Sequence, residues 1–323
     1  MSGEFNLIEK YFVDQQAQRS DVVLAAGDDC ALVSAPVGSL IAISTDTLVA
    51  GTHFLASANP HWVAHKALAS NISDLAAMGA TPAWVSFALT MPEIDEIWLA
   101  PFCEGFFALA DQYGLQLIGG DTTKGPLSLT LTVQGLVPQG EALLRSGAQV
   151  GDGIYVTGLL GDSQAGLDVI LDKSNATKPF ASELEKRHYL STPRTQVGEA
   201  LRGIASAAID ISDGVISDLG HILKRSGVGA QVEVEQLPLS QPLLEFVGSP
   251  QQAQQYALTS GEEYELCFTV PDSREDAMWQ ALQDIDCQIT RIGTINDDDK
   301  LRLTLDGQDL AWQLSGYDHF KTN

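Results

Sequence analysis

The sequence predicts a protein built of two α/β domains. At 323 residues the chain is long enough for two cores, and its 45% hydrophobic content is that of a folded globular protein. Apolar runs of strand length alternate with stretches of helical periodicity in both halves. Between the halves, residues 138–151 are rich in Gly and polar side chains, which places a boundary there and gives domains of 1–138 and 150–323.

In the first half, residues 40–44, 84–90, 115–118 and 127–137 read as strands, the last alternating over Leu129, Leu131 and Val133. Pro60 opens a helix carrying Trp62, Val63, Ala67, Leu68, Ile72, Leu75 and Ala76, closed at Gly79. A second helix covers 95–113 and stops at Gly114, with Pro101 kinking it or starting its main part. The second half repeats the alternation. Strands are expected at 154–157, 207–211, 230–234, 265–270 and 301–305; helices follow Gly161 and cover 193–205 and 215–225, the last ending at Gly227. Residues 175–186 are the least patterned part, and no repeat of solenoid period is visible.

Charge narrows the functions. There are 42 acidic residues against 18 basic ones, a net charge of −24. That balance opposes non-specific nucleic-acid binding and docking on anionic lipid. Cys30, Cys103, Cys267 and Cys287 form no C-x-x-C pair, which fits buried thiols in a reducing compartment. Residues 1–9 lack the apolar core of a signal peptide, and no run reaches the ~18 apolar residues of a membrane span. A soluble cytoplasmic protein is expected.

The chemistry concentrates in five acidic knots beside apolar runs: Gly27-Asp28-Asp29-Cys30, Ser44-Thr45-Asp46-Thr47, Ser73-Asp74, Gly119-Gly120-Asp121-Thr122 and Asp210-Ile211-Ser212-Asp213-Gly214. A carboxylate at the end of a buried strand is costly unless a cation meets it. Two of them about 4 Å apart repel by roughly 4 kcal/mol at an effective dielectric of about 20. Few basic residues stand near in the sequence, so a divalent metal is the expected neutraliser. Short oxygen ligands beside Gly, Ser and Thr suit Mg²⁺ shared with phosphates.

Each knot also has a plain structural reading. Asp28 and Asp29 fit an ion site or a solvated Gly-Asp turn. Ser44 and Asp46 share a strand face, where hydroxyl and carboxylate meet one ion, or Asp46 caps a turn. Asp74, on an otherwise apolar helix, is a rim residue or a ligand. Gly119 and Gly120 offer amides to an anion beyond a strand end, or simply turn the chain. Asp213 suits a helix N-cap as well as a metal; Asp210, inside a strand, is left with no structural role. The chain has no G-x-x-x-x-G-K-[ST], G-x-G-x-x-G or H-E-x-x-H, and His61 and His65 read as surface side chains.

Taken in order, the knots resemble the thiamine-monophosphate kinase family, almost from end to end. The likeness is carried by Gly3-Glu4-Phe5, Gly27-Asp28-Asp29-Cys30-Ala31, Ser44-Thr45-Asp46-Thr47-Leu48-Val49, His53-Phe54, Asn71-Ile72-Ser73-Asp74-Leu75-Ala76-Ala77-Met78-Gly79-Ala80, Gly119-Gly120-Asp121-Thr122-Thr123, Arg145-Ser146-Gly147-Ala148, Asp210-Ile211-Ser212-Asp213-Gly214, Gly261-Glu262-Glu263-Tyr264-Glu265-Leu266 and Gly316-Tyr317-Asp318-His319-Phe320. One such fragment is weak, whereas the whole set in this order is highly specific.

The resemblance implies ATP-dependent phosphorylation of thiamine monophosphate to thiamine diphosphate. It implies the aminoimidazole ribonucleotide synthetase-like fold: an N-terminal α/β domain that forms a homodimer and carries ATP and Mg²⁺, and a C-terminal α/β domain that adds to the ATP and substrate site. Metal ligands carry over to Asp29, Ser44, Thr45, Asp46, Asp74, Asp121, Asp210 and Asp213, with Asp46, Asp121 and Asp210 catalytic. ATP contacts carry over to Gly120, Asp121, Arg145 and Ser212, and substrate contacts to His53, Glu262 and Tyr317. Glu263 departs from the family's Gly-Glu-Asp-Tyr form, which leaves Glu262 assigned and Glu263 without a role.

The physical reading agrees with this. Transfer to a phosphate acceptor joins two polyanions, so positioning and charge neutralisation dominate, and no strong general base is needed. Arg145 adds a planar fork for ATP phosphates. A selenophosphate synthetase is the enzyme alternative, but its reactive Cys or selenocysteine has no counterpart in residues 1–19. A Mg²⁺-dependent phosphatase would use the 210–214 knot without needing ATP, and a metal-buffering acidic protein would bind ions without turnover.

Overall fold

The computed structural model describes residues 9–13, 18–26, 28–312, 314 and 316. The chain divides into two compact units, residues 1–75 with 80–140 and residues 76–79 with 141–323.

In the first unit, β1 (Val22–Leu24) and β2 (Leu32–Val33) form a small antiparallel pair. β3 (Ser39–Val49), β4 (Thr81–Met91), β5 (Gln116–Lys124) and β6 (Ser128–Pro138) form a four-stranded sheet in the order β3-β6-β4-β5, antiparallel except between β4 and β5. Between them run α1 (Pro60–Ala77) and α2 (Glu96–Gln112); Asp95 caps α2 by accepting from the Ile97 and Trp98 amides. Leu129, Leu131 and Val133 are fully buried on one sheet face, where Phe87 stacks on Phe102 and Phe106 of α2 with centroids 5.6 and 5.7 Å apart. The side-chain period of two leaves Ile41, Ile43, Thr45, Thr47 and Ala88 exposed on the other face. There the Thr45–Thr132 and Thr47–Thr130 hydroxyl pairs, each at 2.9 Å, bridge β3 to β6.

Two of these strands overrun the sequence expectation. Apolar periodicity ends strands at residues 44 and 118, where their knots begin, but in the structure both knots lie inside strands. Thr favours extended backbone, and β6 offers β3 a partner along its full length, so β3 continues through Ser44-Thr45-Asp46-Thr47. β5 continues through Gly119-Gly120-Asp121-Thr122, with a register shift between Val85 and Ser86 on β4. A Cβ at Gly120 would lie 1.9 Å from the Phe87 carbonyl oxygen, so only Gly lets the two strands close here.

The second unit holds β7 (Gly153–Thr157), β8 (Ala207–Asp210), β9 (Gly229–Glu233), β10 (Leu266–Val270), β11 (Ile289–Asn296), β12 (Leu301–Leu305) and β13 (Gln308–Asp309). They form one sheet in the order β13-β12-β9-β11-β7-β10-β8, parallel only between β12 and β9. β7 and β10 are buried at every position, as strands covered on both faces. The helices are α3 (Asp162–Leu171), α4 (Ala181–Tyr189), α5 (Thr195–Ala200), α6 (Val215–Ser226), α7 (Gln241–Val247), α8 (Pro250–Thr259) and α9 (Glu275–Leu282). The helix expected over 193–205 shrinks to α5. The unpatterned 175–186 stretch contains the start of α4, whose Ala181, Leu184, His188 and Tyr189 are buried.

Candidate active site

In the first unit, α1 lays polar side chains against β3. Asn71 Oδ1 accepts the Asp46 N–H at 3.2 Å, and Ser44 Oγ donates to Asp74 Oδ2 in a short hydrogen bond. Ser44 and Asp46 share the helix-covered face, as their spacing predicts, and Asp74 packs half-buried against them. Burial first, and then the Asp74 charge, pushes the Asp46 carboxyl up to about 6. Two carboxylates and a hydroxyl are hard oxygen donors, and that set fits Mg²⁺. At the end of β3, His53 Nδ1 accepts the Val49 N–H at 3.0 Å, which puts the proton of the neutral ring on Nε2. The buried Lys66 ammonium donates to the His53 carbonyl at 2.9 Å.

Asp121 and Thr45 lie on the opposite face. Register aligns Asp121 with Ala88, Thr130 and Thr47, and both Gly120 and Asp121 are exposed. Asp29 is exposed as well; its N–H donates to Asp28 Oδ1 at 2.9 Å. Among the described residues no three or more His, Cys, Asp and Glu side chains converge on one ion position. In the first unit the expected ligands divide between the two faces of the sheet, Ser44, Asp46 and Asp74 on one and Thr45 and Asp121 on the other.

In the second unit, Asp210 ends β8 and is 2% exposed. The turn after it is stitched to residues 262–265: Glu262 N–H donates to Ser212 O at 2.8 Å, Tyr264 N–H to Ile211 O at 2.9 Å, and Ile211 N–H to Glu265 O at 2.7 Å. The N-cap of α6 is Gly214, not Asp213. Buried Asp218, one turn into α6, reaches back and accepts the Ser212 and Asp213 N–H groups at 3.1 and 3.0 Å; burial pushes its carboxyl up to about 7. A Cβ on Gly316 would lie 2.4 Å from Asp213 O, so the chain there crosses this turn closely. Leu144 O accepts the Ala208 N–H at 2.9 Å, which runs exposed Arg145 beside β8. Tyr317 lies outside the described residues, as do Gly27 and the other motif residues at 3–5 and 318–320.

Glu262 and Tyr264 both adopt positive φ, 59° and 54°, where non-Gly residues are rare. Glu262 Oε2 lies 3.4 Å from His188 Nε2. Glu263, between Glu262 and Tyr264 in the chain, accepts the Gly161 and Ser163 N–H groups at 2.8 and 3.2 Å at the start of α3. Burial pushes its carboxyl up to about 8. The residue that departs from the family pattern thus holds a helix N-terminus.

The AIR synthase related protein N-terminal domain matches residues 27–137, and the C-terminal domain of the same description matches 149–306. A thiamine-monophosphate kinase of Salmonella typhimurium is 52% identical over 322 residues, 99% of each chain. The chain belongs to the thiamine-monophosphate kinase family. The crystal structure of the thiamine-monophosphate kinase from Stenotrophomonas maltophilia agrees with it at a TM-score of 0.86 and 42% identity, covering 95% of this chain and 98% of that one. AaThiL complexed with AMPPCP and TMP matches at a TM-score of 0.78 and 31% identity, covering 99% and 97%. The family and its two-domain mixed fold are therefore those the sequence implies. Among the described residues of this thiamine-monophosphate kinase family member, no helix is long and apolar enough to cross a membrane. Asn71, His188 and Asp218 touch the expected residues; Asn71 stands inside the 71–80 motif and Asp218 four residues after the 210–214 knot, whereas His188 lies in no motif and nothing in the local sequence marks it.

Proposed function

We propose that this chain transfers the γ-phosphoryl group of ATP in line to the phosphate of thiamine monophosphate, giving thiamine diphosphate and ADP, as a cytoplasmic homodimer using several Mg²⁺ ions. The observation that carries the reading is 52% identity over 99% of the chain to a thiamine-monophosphate kinase. A relative solved with AMPPCP and TMP supports the same pair of substrates. Residues 1–138 are assigned ATP, Mg²⁺ and dimerisation, and 150–323 further contacts to ATP and substrate. The exposed Ile41 and Ile43 on the uncovered sheet face favour a second copy there.

The roles follow from donor chemistry. Asp46, Asp74 and Ser44 would hold one Mg²⁺, and Asp29, Thr45, Asp121, Asp210 and Asp213 are the further ligands. When bound, Mg²⁺ neutralises the charge that gathers on the transferred phosphoryl group. Gly120, Asp121 and Ser212 contact ATP, and Arg145 brings a guanidinium fork to its phosphates. Glu262 supplies a carboxylate and Tyr317 an aromatic ring as the kinds of side chain that read the thiazolium cation, and His53 is assigned to the acceptor phosphate. That acceptor is already anionic at neutral pH, so the side chains position it and need not strip a proton.

The test is turnover of purified protein with ATP, Mg²⁺ and thiamine monophosphate. ADP and thiamine diphosphate should appear in equal amounts, and Asp121→Asn should lower the rate by more than about tenfold without lowering the melting temperature. Release of AMP, or of ADP regardless of thiamine monophosphate, would overturn the reading.

A further inference from the structure

We infer that His188 is a positioning residue that aims the Glu262 carboxylate at the substrate cation; this rests on the reading of Glu262 given above. His188, near the end of α4, is 3% exposed and is gripped on both edges. On one edge, Nδ1 lies 3.0 Å from Ser163 Oγ and 3.1 Å from Ser163 O, in the first turn of α3. On the other, Nε2 faces Glu262 Oε2 at 3.4 Å. The Tyr189 ring meets the imidazole edge to face, with centroids 5.2 Å apart, and blocks its rotation.

Ser163 offers Nδ1 a carbonyl that only accepts and a hydroxyl that can donate, so these two contacts alone fit either tautomer. The carboxylate at Nε2 decides between them: it needs a proton there, and the neutral ring supplies one when the Ser163 hydroxyl donates to Nδ1. Glu262 needs such a holder because its φ of 59° launches the side chain from a conformation non-Gly residues rarely keep. Its neighbour supplies a second anchor, since Glu263 Oε1 accepts the Ser163 N–H at 3.2 Å. The same turn of α3 thus fixes the backbone of this segment through Glu263 and the carboxylate of Glu262 through His188. Glu262 remains 25% exposed, placed between a buried ring and solvent.

A double-mutant cycle on the KM for thiamine monophosphate tests this. Glu262→Gln should raise that KM about tenfold, and His188→Leu about fivefold, with the KM for ATP unchanged. His188→Gln, which restores a donor, should recover most of the loss. In the Glu262→Gln background, His188→Leu should add nothing, an outcome a merely structural role would not give. Where His188→Leu does not fold, Ser163→Ala, which takes the hydroxyl from Nδ1 and leaves the Ser163 carbonyl, enters the same cycle. An equal effect of His188→Leu in both backgrounds, or none in the parent, overturns the inference while sparing Glu262. An unchanged KM in Glu262→Gln overturns the substrate reading and this inference with it.

Discussion

Replacing Asp46 by Asn should make the metal-free protein more stable and the enzyme nearly inactive. The Asp46 carboxyl titrates at about 6 instead of 3.8, first because it is buried and then because Asp74 faces it. A raised value means the folded chain holds the proton more tightly than the unfolded one, so stability is lost as pH climbs from 4 to 6 and stays lost above. The gap from 3.8 to about 6 corresponds to at most roughly 3 kcal/mol, and partial solvation reduces the expected effect to about 2 kcal/mol. The substituted amide carries no charge, and the backbone N–H bond to Asn71 survives the change. Melts in EDTA should therefore show a gain of roughly 4–8 °C at pH 8 that vanishes near pH 4. Adding Mg²⁺ should stabilise the parent more than the variant. A variant less stable than the parent at pH 8, or a gain independent of pH, refutes the repulsion argument. Turnover within about threefold of the parent refutes the ligand role.

Glu263→Gln should cost little at pH 7, because the carboxyl it replaces titrates at about 8 and the amide oxygen still accepts from α3. Glu263→Ala leaves those two amides without their partner and should cost about 1–3 kcal/mol in urea unfolding. Gly120→Ala should cost about 2–4 kcal/mol by the same measurement, since β4 and β5 must part to admit the methyl. Light scattering should give twice the 34.6 kDa of one chain, and Ile43→Lys, on a residue 66% exposed, should halve that mass. A stable parent monomer at micromolar concentration would end the dimer reading.

Much of the fold was legible because period-two and helical patterns repeat through both halves. The strand ends were not. Apolar periodicity stops at Ser44 and Ile118, but the hydrogen-bond ladder is backbone chemistry and runs on as far as the partner strand does. α7 and α8 carry weak periodicity; their signal is Ser240 and Ser249, each capping a helix with Pro in its first turn. At the site, Ser44 and Asp46 share a face because strand geometry requires it, and that could be read from spacing. The meeting of Asp74 with Ser44 depends on how α1 docks, and Glu263 serves a helix start about 100 residues away. Local sequence contains neither relation.

The pairing of β3 with β6 also governs how the chain survives its own synthesis. β3 emerges from the ribosome about 80 residues before the strand that covers its edge. At ~5–20 residues per second it waits roughly 4–16 s with Leu40, Ile41, Ile43, Leu48 and Val49 unpaired. Such a segment, rich in β-branched and apolar residues, is prone to stick to its like, and its one charge is Asp46. The carboxylate that burdens the folded, metal-free protein therefore guards the nascent one. Asp46→Asn should melt higher once purified and yet leave more of the product in inclusion bodies.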